Sequence, residues 1–370
     1  MAIFRPHGFD KALFVITLSL LAVGFIMVYS SSANLATEKY HQSFHFFIQQ
    51  IIGAAAGIIL GIFLLSVRKP FYQNSYVVYG LLALSVFLLA ACFVMPSVAR
   101  VNRWVSLFGI RFQPSELVKV SLMIYLAHFL EQKKLRLHEW RVLVQPVAVI
   151  GLVTILILKE PDYGTALLIF AICSLMLYIG GVKIRYLAAL GLAAGAIFTV
   201  YLFSANYRVE RITSFMSPEK DILGKGFQPY QSKLAVGSGG LLGVSLGESK
   251  QKLYFLPYAH TDFIFAILGE EFGLWGTLTI LGLFLAFLWR GLVIASRAPT
   301  PAAQLLAVGL TLVVCVQALL NITVVLGMGP AKGVPLPLIS FGRSSLICTL
   351  AAVAVILNIS QRKGAERRTR

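Results

Sequence analysis

Residues 262–290 read DFIFAILGEEFGLWGTLTILGLFLAFLWR. The stretch is apolar enough to cross a membrane, but it is too long to do so as one straight helix. At 1.5 Å per residue it would rise about 43 Å, against a hydrocarbon core of about 30 Å. Gly269 and Gly273 bracket Glu270 and Glu271, and glycine tolerates backbone that other residues avoid, so a break is expected there. A short apolar piece, FIFAIL, would lie at the outer membrane edge, and a proper span would run from Leu274 to Trp289. Asp262 would then be held at the outer interface on an ordered element.

The rest of the chain supports this reading. Of 370 residues, 58% are hydrophobic and only 13% charged, with a mean hydropathy of +0.81; soluble domains carry about 25% charged residues. Ten spans fit, at about 12–33, 45–66, 76–96, 115–131, 142–158, 163–181, 185–204, 262–290, 303–327 and 339–359. The expectation is an all-α polytopic membrane protein: one transmembrane domain over 1–370, with a large outer loop, 205–260, between the seventh and eighth helices. A β-barrel would need alternating apolar and polar residues, and the spans do not alternate. The first span exceeds the apolar core of a signal peptide. The net charge of +17 collects in the connections that lie inside when the N-terminus is cytoplasmic, with the 97–114 loop as the main exception. This positive-inside bias places both termini in the cytoplasm, so nucleic acid is not needed to explain the basic excess. Cys92, Cys173, Cys315 and Cys348 stand singly in apolar runs, without metal or redox spacing.

The working face is expected outside. The 205–260 segment is long for an economical protein and rich in Gly, Ser, Lys and Tyr. Residues 327–345, GMGPAKGVPLPLISFGRSS, need cover from protein or a water-filled cavity at membrane depth. Glu116 and Lys119, at i and i+3 behind the helix start Pro114–Ser115, share a helix face, either as a structural ion pair or as the wall of a polar cavity. Asp162 either caps a helix or lines the same cavity. Arg208 and Arg211 either snorkel to headgroups or clamp a phosphate; Lys233 and Lys332 are weaker candidates of that kind. His260 alone reads as an interface histidine. Asp262 is the sharper candidate, because a carboxylate at a semi-apolar boundary becomes a better proton acceptor near neutrality.

Several stretches together resemble one family. They are RW at 103–104, FQPSELVK at 112–119, PDYGT at 161–165, YRVERITSF at 207–215, QSKLAVGSGGLLG at 231–243, AHTDFIFA at 259–266 and KGVPLPLISFGRSS at 332–345. From the first span to the last the chain is similar to the SEDS family (shape, elongation, division and sporulation), whose members include FtsW, RodA and SpoVE. GESKQKLYFLP and the RITSF block bring it nearest the FtsW branch.

The resemblance implies a peptidoglycan glycosyltransferase that polymerises lipid II on the outer face of a bacterial cytoplasmic membrane, at the division septum. Its partners would be a class B penicillin-binding protein and other division proteins. It also implies that Asp262 is the essential aspartate, that Glu116, Lys119 and Asp162 line the cavity, and that Arg208 and Arg211 are the family's arginines after the seventh span. An α-linked pyrophosphate donor and a β-1,4 product mean inversion at the anomeric carbon. One base then suffices, with no carboxylate nucleophile as in a retaining glycosidase. Charge on the departing pyrophosphate would be met by Arg208, Arg211, Lys119, Arg103 and Arg111 or by a divalent ion such as Mg or Mn; the residues leave both open. Tyr258, Glu160, Tyr163, Phe341 and Arg343 depart from the family pattern. A lipid II flippase is the alternative, since intramembrane charges suit transport too, and a scaffold that recruits septal enzymes is a third. No paired broken spans of a transporter are visible.

Overall fold

The computed structural model describes residues 8–95, 103–107, 110–203, 226–253, 256–257, 259–329 and 333–366. Among them eleven α-helices follow one another: α1 Lys11–Tyr40, α2 His45–Ser66, α3 Ser75–Ala91, α4 Pro114–Gln132, α5 Trp140–Lys159, α6 Tyr163–Ile179, α7 Ile184–Phe203, α8 Phe227–Ser238, α9 Ile264–Ser296, α10 Pro301–Val325 and α11 Arg343–Glu366. A small antiparallel hairpin, β1 Val105–Leu107 and β2 Ile110–Phe112, precedes α4; no strand was expected there. Each of the ten expected spans falls on one helix. Seven helices are long and apolar enough to cross a membrane, and α3 and α6 are shorter apolar helices. The protein is an all-α membrane protein.

Local chemistry sets the helix starts. Asp10, Asn74, Asp162 and Thr300 accept hydrogen bonds from the backbone N–H groups of Leu13, Tyr76, Thr165 and Ala303, while Pro114 and Pro301 occupy first turns whose N–H would lack a partner anyway. The centre of the bundle is α4, α10 and α11, which pack on one another. α4 is buried on nearly every face from Pro114 to Leu130, and its buried polar groups find partners inside the bundle, Glu116 and Lys119 in each other and Ser121 in Ser85. α2 and α7 lie outside and leave Ile59, Phe63, Leu192 and Val200 exposed, the surface a helix offers to lipid.

The expected break is present, and its surroundings are more elaborate than the expectation. α9 is interrupted at Gly273, whose φ of 63° and ψ of −158° are non-helical. The glycine-rich segment after α8 fits into the gap. Val244 N donates to Glu270 O at 3.0 Å and Ser245 N to Glu271 O at 3.3 Å. In the reverse direction Leu274 N donates to Gly240 O at 2.9 Å and Trp275 N to Leu241 O at 3.4 Å. Backbone groups released by the break thus find partners, as a low-dielectric setting demands. The approach requires glycine on both sides: a Cβ on Gly243 would stand 2.1 Å from Glu271 O, and one on Gly273 2.4 Å from Gly243 N. The FIFAIL piece, expected at the outer membrane edge, is covered by protein: Phe263 to Leu268 are all buried.

Candidate functional site

The peptide bearing Asp262 is tied down at three consecutive carbonyls. His260 O accepts from Phe341 N at 3.0 Å, Thr261 O from Ser340 Oγ at 2.6 Å, and Asp262 O from Asn321 Nδ2 at 2.7 Å. Residues 333–341 therefore run alongside 260–262. Asn321 also donates to Val334 O at 2.8 Å, and Gln317, one turn earlier on α10, donates to Pro335 O at 2.9 Å. Gln317 and Asn321 do what the expected site residues alone could not. Sequence reasoning missed them, although two amides at i and i+4 in an otherwise apolar helix were a visible signal.

Lys119 enters through the same helix. Its Nζ bonds Glu116 Oε1 at 2.9 Å and pairs with Oε2 at 2.9 Å, and it donates to Gln317 Oε1 at 2.5 Å. Both charged side chains are buried. The expected i, i+3 pair is thus present. It acts on the Asp262 peptide two links away, through Gln317 and the 333–341 segment, and does not itself face the carboxylate.

The Asp262 side chain looks another way. A Cβ on Gly333 would lie 3.2 Å from its Oδ2 and 3.9 Å from Arg103 Nη1, so the carboxylate and the guanidinium both flank a residue without a side chain. Arg103 also donates its Nε to Glu160 O at 2.9 Å, bonds Pro161 O, and stands 4.0 Å from Asp162 Oδ2. Asp162 caps α6, with Oδ1 accepting from Thr165 N at 3.1 Å and Oδ2 from Thr165 Oγ1 at 2.9 Å. The capping reading therefore holds, and the same side chain stands near Arg103. Loss of hydration by burial, reinforced by Asp162 and opposed by Arg103, raises the Asp262 carboxyl to about 7. Next to this group Glu160 is fully buried, and among the described residues only the Cys92 thiol stands against its carboxyl, without an N–H or O–H donor on either oxygen. Burial pushes it to about 8, with Asp162 adding to the effect.

His260 packs its ring between Phe46, at 4.7 Å, and Phe341, at 5.8 Å. Burial, helped by Lys39, lowers it to about 4, which fits the interface role. Glu270 and Glu271 secure the break. Glu270 accepts from Ser249 Oγ at 2.5 Å and Lys250 N at 2.9 Å. Glu271 accepts from Ser30 Oγ at 2.6 Å and pairs with Lys252 Nζ at 2.9 Å. Arg208, Arg211, Lys332 and Tyr258 lie outside the described residues.

Comparison with known proteins follows the same lines. The family model described as "Cell cycle protein", FtsW/RodA/SpoVE, matches residues 11–365. The chain is 39% identical to stage V sporulation protein E of Bacillus subtilis over 95% of this chain and 97% of that protein. It is 38% identical to the probable peptidoglycan glycosyltransferase FtsW of Geobacter sulfurreducens over 96% of each. In structure it is similar to a chain of a peptidoglycan synthase complex that coordinates polymerisation and crosslinking, with a TM-score of 0.78, 28% identity and coverage of 96% and 98%. It is also similar to the rod shape determining protein RodA of Thermus thermophilus, with a TM-score of 0.71, 25% identity and coverage of 97% and 99%. A carboxylate held by three anchored carbonyls beside one guanidinium thus sits in a fold shared along nearly the whole chain, and this protein belongs to the FtsW/RodA/SpoVE family.

Proposed function

We propose that this protein is a peptidoglycan glycosyltransferase that polymerises lipid II, an undecaprenyl-pyrophosphate-linked disaccharide peptide, into β-1,4 glycan strands, with Asp262 as general base. The observation that carries the reading is the Asp262 carboxyl. It lies on an immobilised peptide, is raised to about 7, and stands with one cation beside it. A base tuned near working pH combines proton affinity with availability. The names of full-length relatives support the same reading.

In the proposed reaction Asp262 takes the proton from the acceptor sugar's 4-hydroxyl. That oxygen forms a bond to the donor's anomeric carbon, and the bond from this carbon to the pyrophosphate breaks, carrying its electron pair away with inversion. Arg103, fixed by two main-chain carbonyls, offers its remaining positive face to the developing charge. Arg208, Arg211 and Lys332 belong to the same proposal as further cations. No three His, Cys, Asp or Glu side chains converge among the described residues, but one or two carboxylates suffice for Mg or Mn where substrate phosphates complete the ligand set. Asp162, with Asp262 near it, would hold such an ion, which would share the charge of the departing pyrophosphate; the proton transfer is assigned to the chain's own groups.

The reading places the protein in a bacterial cytoplasmic membrane with both termini inside, Asp262 at the outer face, and action at the division septum. Its partners would be a class B penicillin-binding protein and other division proteins. Lys119 spends its hydrogen bonds on Glu116 and Gln317, which supports a structural prop over a charged step on a transport path. The test is polymerisation of fluorescent lipid II by the purified protein with its penicillin-binding partner, read as glycan strands on a gel. Wild type should extend strands and Asp262→Ala, equally folded, should not; full polymerisation by Asp262→Ala would overturn the reading.

A further inference from the structure

At the end of the bundle away from Asp262, the starts and ends of three helices enclose a crevice of about 300 Å³. Its lining includes Lys11 at the start of α1, Ile294 and Arg297 at the end of α9, and Ile359 of α11. The size is that of a small ligand site. Its floor is fixed: Asp10 N donates to Ser360 Oγ at 3.0 Å, and the Asp10 carboxylate both caps α1 and pairs with Arg290. The acid and one arginine thus neutralise each other. Lys11 and Arg297 remain, exposed, at the mouth, and neither forms an ion pair among the described residues. Two cations over a mixed lining, with Phe9, Val293, Ile294 and Ile359 beside Ser360 and an acid already paired with Arg290, call for an anion.

The surroundings indicate what carries that anion. Phe14, Val15 and Leu18 on α1 and Trp289 and Leu292 on α9 are exposed within two turns of the crevice. In a membrane these face acyl chains, and a tryptophan at this level marks the headgroup boundary. We propose that the crevice binds the phosphate headgroup of an anionic phospholipid of the inner leaflet, with its acyl chains lying along α1 and α9. Basic pockets between membrane helices on the cytoplasmic side are suited to such lipids. The inner face is taken from the basic bias of the connections and does not depend on the chemistry at Asp262.

Native mass spectrometry of the intact protein, titrated in detergent with phosphatidylglycerol or phosphatidylcholine, tests this. Phosphatidylglycerol should be retained in preference to phosphatidylcholine. Lys11→Ala/Arg297→Ala should weaken that retention about thirty-fold, at about five-fold for each basic residue removed. The charge-keeping variant Lys11→Arg/Arg297→Lys should hold lipid as wild type does, which separates lost charge from lost folding. Arg68→Ala/Lys69→Ala, which removes two cations of the α2–α3 connection, should change nothing. Equal loss in that control would reduce the effect to diffuse attraction, and equal retention of phosphatidylcholine would remove the headgroup. Displacement of the lipid by millimolar inorganic phosphate would make this a free-anion site. Each of these three results overturns the proposal.

Discussion

Asp262 and Glu271 lie nine positions apart, in one stretch of sequence, at the two ends of the same buried half-helix. Glu271 is closed on itself. Ser30 and Lys252 take its oxygens, and the pair is sealed inside the protein. Asp262 is held by its backbone, while its carboxylate flanks Gly333 with Arg103 nearby and stays partly open. One acid has spent its charge on structure and the other keeps it in reserve. What separates them is partner supply, since both lie in apolar surroundings that disfavour a lone charge.

Five substitutions and a titration would break or sharpen that contrast. The largest effect is expected at Asp262. Asp262→Ala should cost about 10²- to 10⁴-fold in lipid II polymerisation, the usual worth of a general base, with no loss of melting temperature. Glu271→Ala should do the reverse: it strands Lys252 and costs about 3–5 kcal/mol of stability, read as a fall in the detergent melting temperature. Gly273→Ala tests the seam between α9 and the 239–245 segment. It forces a side chain to φ +63° and into Gly243, and about 1–3 kcal/mol of destabilisation is expected from backbone strain alone.

The pH dependence follows from the sign of the shift. A base works deprotonated, so the rate should fall about tenfold per unit below a midpoint near 7 and level off above it. The same raised value means that the folded state holds its proton longer than the unfolded chain. Asp262 therefore favours folding in acid and loses that contribution as pH rises from about 4 through about 7; Asp262→Asn should flatten that part of a melting-temperature profile. Arg103→Gln should slow the reaction by removing the cation assigned to the departing charge, and the smallest effect expected is its shift of the midpoint. Without the cation that opposes the shift, the activity midpoint should move above that of wild type; an unmoved midpoint would detach Arg103 from the base.

Much of this was legible in the residues. Unbroken apolar runs gave the helices, because burying backbone in lipid leaves few options. An over-long span with two glycines gave the break, and i, i+3 spacing gave the Glu116–Lys119 pair. Asp262 was readable as a carboxylate at an apolar boundary, and the family motifs reinforced it. Other parts were not. Nothing near Gly239–Ser245 says that its peptide groups replace those lost at Gly273, about thirty residues later in the chain. Glu160 stands in the sequence only as a departure from the family pattern; that the fold buries it with little more than a thiol against its carboxyl is not visible there.

The sequence by itself determined which segments are helical, where one of them must bend, and which acids are too costly to sit idle, since these depend on composition and spacing along the chain. Only the tertiary structure decided which acid stays available. Ser30, Arg103, Gln317, Asn321 and Gly333 come from distant parts of the chain, and a carboxylate's charge is tuned by whatever stands within a few ångströms of it in space.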